Sequence, residues 1–250
     1  MDFRIHRLIL QAVSLAIAGT FARVMKLHPY LYPEFRKSTM MPVSFPTTQE
    51  FTEVLRAALV DGLPGRDAQF VMAPSARPPE PPHELTPAGV IVALYPDNGS
   101  WYFPLIHRVD DGYPHGGQIS LPGGRLEPGE SVETGALREA QEEIGLSPDR
   151  LTVLGTLTPL PIPVSGYTAT PIIAVHDGTP DFRLQPREVQ AVLAAGLDEL
   201  ANPSNQHMEM RVFEGRESTA PFFILGGRKV WGATAMMLAE FRNLLHDLTI

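Results

Sequence analysis

The chain contains no cysteine. That excludes disulfides, thiolate metal centres and a cysteine nucleophile, and it suits the cytoplasm. Basic residues are also in short supply: 20 Lys and Arg stand against 28 Asp and Glu, for a formal net charge of −8. With no basic footprint and no interleaved aromatic and basic pattern, nucleic-acid binding is not expected as a main role. An anionic substrate would need positive charge supplied locally, by Lys or Arg or by a metal ion. The apolar run "LILQAVSLAIAGTF" (Leu8–Phe21), behind Arg4 and Arg7, falls short of the about 20 residues that a membrane-spanning helix needs. Stable membrane insertion is therefore not expected. Residues 1–46 stand apart as an N-terminal extension. Ala16-Ile17-Ala18 resembles a small-residue cleavage site. A helical extension, or an over-long start with initiation at Met40 or Met41, is the favoured reading.

What the chain does have is a hydrophobic content of 44% over 250 residues, enough for the core of one ordinary domain with extensions. "TTQEFTEVLRAALVDG" (Thr47–Gly62) reads as an amphipathic helix, with Phe51, Val54, Leu55, Ala58 and Leu59 on one face. "SARPPEPPHELTPAG" (Ser75–Gly89) is too rich in proline for a helix or a central strand, so residues 47–87 are expected to form a helix and a proline-rich arm. Short strand-like runs follow from Gly89, Trp101, Gln118, Leu151, Thr168, Glu188, Met208 and Pro221, and an amphipathic helix runs from about Trp231 to Leu248. Short strands with a few interspersed helices predict an α+β fold with a mixed sheet packed against helices.

One helix asks for an explanation. In "GRLEPGESVETGALREAQEEIGL" (Gly124–Leu146), Pro128-Gly129 turns the chain, Glu130-Ser131 suits a helix start, and Gly145 suits a left-handed stop. At 100° per residue Glu139, Glu142 and Glu143 share an arc of about 100°, beside the Ala140 and Ile144 face that should pack on the sheet. Like charges at these spacings repel. A solvated helix face is the plain reading; a hard-oxygen site for Mg²⁺ or Mn²⁺ is the functional one. Arg138 lies next to Glu139, where a guanidinium can fix a carboxylate by paired hydrogen bonds. Gly123-Gly124 removes side chains where backbone must approach a metal or a phosphate.

Gly124, then Glu130, then Arg138-Glu139-Ala140-Gln141-Glu142-Glu143-Ile144-Gly145-Leu146 matches every defined position of the Nudix box, and the segment is identified as a member of that family. The resemblance implies an α/β/α sandwich with a mixed sheet, over residues 88–250, and hydrolysis of a nucleoside diphosphate linked to another group. It implies Glu139 and Glu143 as metal ligands, Glu142 as a shared ligand or the catalytic base, and a ligand from the Gly124 carbonyl. Arg138 would orient Glu139. Glu188 in "REVQAV" is a second candidate for the base.

The flanks are similar to the coenzyme A pyrophosphatase branch: Arg108, "HGGQISLPGGR" (His115–Arg125), "PVSGYTATP" (Pro163–Pro171) and "VWGATAMML" (Val230–Leu238). That implies coenzyme A or an acyl derivative as substrate, cleaved to 3′,5′-ADP and 4′-phosphopantetheine. ADP-ribose, NADH or a dinucleoside polyphosphate is the alternative, and a non-catalytic ligand sensor a third reading. Arg108, His115, Gly123 and Tyr167 are the candidate substrate contacts, Tyr167 as a stacking platform for adenine. For Arg108 a surface ion pair, for His115 a turn and for Tyr167 core packing are the plain readings; Trp231 reads as a helix-start anchor. The chain departs from the branch at Pro104–Val109, where Leu-Leu-Thr-x-Arg-Ser is usual, and at Tyr113, where an arginine is usual. The expected partner is a small nucleoside diphosphate; a homodimer is left open.

Overall fold

Successive apolar residues from Ile91 to Leu94 are sorted to two sides of one strand. Val92 and Leu94 enter one buried cluster, Ile91 and Ala93 another. A strand buried on both faces reads as an unbroken apolar run, as "VIVAL" does here. In the computed structural model the described residues are 48–75, 85–110, 112, 116–213 and 216–248. The chain divides into units Met1–Met41 and Pro42–Ile250, and the description concerns the second. The expectations for residues 1–46 lie outside the described residues.

The strands are β1 (Thr86–Asp97), β2 (Ser100–Arg108), β3 (Ile119–Ser120), β4 (Gly123–Arg125), β5 (Leu151–Thr156), β6 (Leu160–Ile162), β7 (Tyr167–His176), β8 (Val189–Gly196), β9 (Gln206–Phe213), β10 (Arg216–Leu225) and β11 (Arg228–Trp231). The helices are α1 (Thr48–Asp61), α2 (Gly65–Phe70), α3 (Val132–Ile144), α4 (Leu197–Ala201) and α5 (Gly232–Asp247). An eight-stranded sheet has the path β3-β2-β1-β7-β5, with β4 on β1, β6 on β7 and β8 on β2. Its β1–β7 pair is parallel and the other pairs are antiparallel, so the sheet is mixed. On one face Phe51, Leu55 and Leu59 of α1 and Leu238 and Phe241 of α5 share a cluster with Phe103 and Leu105 of β2. On the other, Ala136, Ala140 and Ile144 of α3 pack with Ile106 and Ile172. This is the α/β/α sandwich expected.

Two details differ from expectation. Pro87, read as part of an arm, belongs to β1, a central strand. The proline is tolerated because it is the second residue of the strand, where it gives up only a donor. Its carbonyl still accepts from Leu126 N at 3.1 Å, and Thr86 N donates to Gly166 O at 2.9 Å. Second, β9, β10 and β11 form a separate antiparallel sheet rather than extending the first. Trp231 stands at the helix start, as read from the sequence: it ends β11 and N-caps α5, with the Arg211 guanidinium 4.0 Å over its ring. The short elements β4, β6, α2 and α4 were not anticipated, being too brief to show a period.

Contact between α3 and β1 is backbone to backbone. A Cβ on Gly89 would lie 2.6 Å from the Val132 carbonyl oxygen and 3.1 Å from Ala136 Cβ. Gly89→Ala should therefore displace α3 and cost about 1–3 kcal/mol by overpacking, read as a lower urea midpoint at unchanged slope. An unaltered midpoint would show that the helix has room to move.

Candidate active site

The helix that carries the acidic residues is fixed at both ends. Ser131 is its N-cap, in an extended conformation, and its hydroxyl accepts from Thr134 N at 3.1 Å; such a cap contributes about 1 kcal/mol. Gly145 ends it with φ 74°, and Leu146 N reaches back to Ala140 O at 3.3 Å. Rotation about the axis is set by Ala136, Ala140 and Ile144 against the sheet. Glu143 is thereby turned inward beside β4, while Glu142, one residue earlier, faces out.

Glu143 is the buried member, with 1% of its side chain exposed. Its Oε1 accepts from Arg108 Nη1 at 3.0 Å and its Oε2 from Gly123 N at 2.9 Å. Burial pushes this carboxyl up to about 7 despite the Gly123 amide and the Arg108 charge, and Glu139 adds to the rise. Arg108 is thus neither a surface pair nor an unengaged phosphate ligand: it is the counter-charge of a buried acid. Fully buried pairs cost about 3–5 kcal/mol to break; with Arg108 31% exposed, solvent screening makes this one worth less.

Gly123 has φ +142°, and a Cβ there would lie 2.3 Å from the Gly89 carbonyl oxygen. The backbone that this glycine admits is β1, and its N–H is engaged by Glu143. Gly124 makes room for a carboxylate: a Cβ there would fall 2.6 Å from Glu139 Cδ.

Arg138 is the hub of the outer part. Its Nη1 donates to Glu139 Oε1 at 2.8 Å and to Glu142 Oε2 at 3.1 Å. Paired hydrogen bonds were expected toward Glu139, yet the pair goes to Glu130: Nε to Oε1 at 3.0 Å and Nη2 to Oε2 at 3.1 Å. Nη2 also donates to the Arg125 carbonyl at 3.1 Å. Glu130, read from the sequence only as suiting the helix start, is therefore the anchor. The signal was present, since it is a defined position of the motif, but a partner eight residues away is set by the Pro128-Gly129 turn and not by helical spacing. Hydrogen bonds from Arg138 hold Glu130 below its ordinary value. Glu139 lies above its own, chiefly from burial, with Arg138 opposing and Glu142 and Glu188 adding.

The remaining candidates are more scattered. Glu188 is exposed just before β8; its carbonyl accepts from Val109 N at 2.9 Å, and its charge reaches Glu139. Tyr167 begins β7 opposite Thr86, two pairs along from Ala88 and Arg125. His115 and Tyr113 lie outside the described residues.

Four carboxylates, Glu130, Glu139, Glu142 and Glu143, are paired with only two guanidiniums, Arg108 and Arg138, and all the acceptors are hard oxygens. That donor set, with the space Gly124 leaves for Glu139, fits a divalent cation. As arranged, no three His, Asp or Glu side chains among the described residues converge on one point; Glu143 is engaged by Arg108 and the Gly123 amide, Glu139 and Glu142 by Arg138. The donor chemistry, rather than the present spacing of the side chains, carries that fit.

The sequence model described as the NUDIX domain matches residues 85–213, slightly more than half of the chain. The chain belongs to the Nudix family. Members hydrolyse pyrophosphate bonds in nucleoside diphosphate derivatives and generally use divalent metals. It is 34% identical over 181 residues to the uncharacterized Nudix hydrolase NudL of Pectobacterium atrosepticum, covering 72% of this chain and 91% of that one. With NudL of Photorhabdus laumondii the identity is 31% over 127 residues, 50% of this chain and 67% of that one. Among solved structures, the Nudix hydrolase RenU from M. smegmatis is 20% identical with a TM-score of 0.48, over 66% of this chain and 88% of that one. No helix among the described residues is long and apolar enough to cross a membrane.

Two outcomes are expected of this Nudix hydrolase. In metal-free protein the folded Glu143 carboxyl titrates near 7 and the ordinary one at 4.5. Between those values the folded form holds a proton that the unfolded chain has lost, so stability should fall as pH rises across that window. Urea midpoints measured there in chelator should decline for the wild type and flatten for Glu143→Gln; parallel curves would rule out burial as the dominant influence. Separately, Glu130→Gln should lower pyrophosphate hydrolysis or metal affinity roughly 10–100-fold, as loss of a supporting hydrogen-bond partner does, with little change in the unfolding midpoint.

Proposed function

We propose that this chain is a Mg²⁺- or Mn²⁺-dependent diphosphohydrolase of coenzyme A or its acyl derivatives, giving 3′,5′-ADP and (acyl-)4′-phosphopantetheine. The observation that carries the reaction is the buried Glu143, clamped by Arg108 and the Gly123 amide beside a second desolvated carboxylate. The substrate is supported by the flanking segments: Arg108 ends β2, "QISLPGGR" forms β3 and β4, and "VWGATAMML" spans the end of β11 and the start of α5. A cytoplasmic setting belongs to the same proposal.

Glu139, Glu142 and Glu143 would hold the cation, with the Gly124 carbonyl as a further ligand. When bound, such an ion supplies counter-charge to the phosphates and lowers the pKa of an attacking water. Arg138, anchored on Glu130, keeps Glu139 and Glu142 on the same side of α3. Arg108 spends Nη1 on Glu143 and has further N–H groups to offer a phosphate oxygen. Tyr167 would stack on the adenine and His115 would contact the substrate. Glu142, 59% exposed, takes the proton of the attacking water; Glu188 is the second reading, favoured by its electrostatic reach to Glu139.

The test is turnover of coenzyme A, acyl-coenzyme A, ADP-ribose, NADH and diadenosine polyphosphates with each metal. Coenzyme A or its acyl form should be the preferred substrate. Glu139→Gln and Glu143→Gln should abolish measurable turnover, and of Glu142→Gln and Glu188→Gln the true base should lose about 10²–10⁴-fold. Preference for another panel member would discard the substrate and keep the reaction. Tight ligand binding without turnover, in folded protein, would indicate a sensor.

A further inference from the structure

The three-stranded sheet has the order β11-β10-β9, so β9 pairs with β10 along one edge and, among the described residues, with nothing along the other. An open strand edge presents a row of N–H and C=O groups to any second strand, and proteins blunt such edges by shortness, proline, a bulge or charge. The strand "QHMEMRVF" is not blunted. It holds no proline and no lysine, its register with β10 runs unbroken from Gln206 to Phe213, and it is eight residues long, where about five or six is usual. Its two charges, Glu209 and Arg211, are of opposite sign.

The two faces of the strand differ. Met208, Met210 and Val212 lie on one, and they are 64%, 62% and 69% exposed. That face continues inward to Phe223, Leu225 and Val230 of the core. Glu209 and Arg211 lie on the other. Arg211 Nε donates to Glu209 Oε1 at 2.5 Å, with the guanidinium over Trp231, and Lys229 Nζ donates to Glu209 as well. The Nη groups of Arg211 are left for a further acceptor.

Around Met210 the strand is chemically self-complementary. If two copies run antiparallel about a two-fold axis there, Met210 faces its own copy, Met208 faces Val212, and Glu209 faces Arg211. Directly opposed apolar or oppositely charged side chains stabilise such a pair, and like charges destabilise it. An axis at Glu209 or at Arg211 would set that charge against its own copy, and a parallel in-register pair would do so at both. The axis at Met210 avoids every such clash.

We propose that two copies of this chain pair β9 to β9, antiparallel about Met210, joining their three-stranded sheets into one. The two-fold arrangement closes on itself and occupies the open edge of both copies. The carboxylates on α3 all come from one chain, so this inference stands apart from the hydrolytic reading.

The full chain has no cysteine of its own, so a single introduced thiol tests the register. Opposed residues of an antiparallel pair bring their Cα atoms within about 4.5–5.5 Å, inside the span of about 4.4–6.8 Å that a disulfide bridges. Met210→Cys should therefore oxidise to a covalent dimer. In Val212→Cys the two thiol positions would stand roughly 14 Å apart, four residues at about 3.4 Å each, and that variant should stay uncrosslinked. In sedimentation the wild type should run as a dimer. Met210→Lys, which sets two like charges at the axis from a solvent-exposed position, should run as a folded monomer. A wild type that stays monomeric at every concentration measured, equal cross-linking at positions 210 and 212, or a dimer that survives Met210→Lys would each overturn the proposal.

Discussion

A carboxylate inside a protein must be held, and the way Glu143 is held organises everything around it. One oxygen takes a guanidinium hydrogen from the end of β2, the other a backbone amide from β4. Those donors arrive from different strands, so the acid can be satisfied only when the sheet is assembled and α3 lies on it. Burial still outweighs both donors, and the group remains a reluctant anion. A site poised in this way has unmet demand for positive charge, which net acidity elsewhere in the chain does nothing to relieve.

The second layer of control is a relay of hydrogen bonds. Glu130 fixes Arg138 with two bonds, and Arg138 passes the orientation on to Glu139 and Glu142 through a single nitrogen. The Pro128-Gly129 turn brings Glu130 back alongside the helix it precedes. Glycines occupy the positions where these parts touch: Gly89 under α3, Gly123 against β1 and Gly124 beneath Glu139. Their common property is the missing Cβ, and together they let helix, strand and loop approach at backbone distance.

Much of this was legible in the sequence, for reasons that differ by residue. The helix from Val132 to Ile144 announced itself through its cap, its stop and its apolar period, and the acidic arc followed from geometry alone. The sandwich followed from strands apolar on both faces and from the motif. What could not be read were partners distant in sequence or set by a turn. Arg108 lies 35 residues from Glu143, and nothing in spacing links them. Pro87 looked like an arm because proline is scored by what it lacks, whereas in the strand only its carbonyl is used. The separate sheet of β9, β10 and β11 depends on where a hairpin leaves the main sheet, which a run of alternating residues does not encode.

The pairing of β1 with β7 joins Thr86 to Tyr167, about 80 residues apart, and α3 lies in the chain between them. Loop closure over that distance is costly before its contacts form, and folding slows as such non-local pairings dominate. The carboxylates are thus carried on a crossover between two strands that pair only across that distance. Until β1 and β7 align, Glu143 has no fully built surface to be buried against. The repulsion among Glu139, Glu142 and Glu143 is local to that helix, set by spacings of one to four residues, whereas the shelter for Glu143 depends on strands far away in the chain.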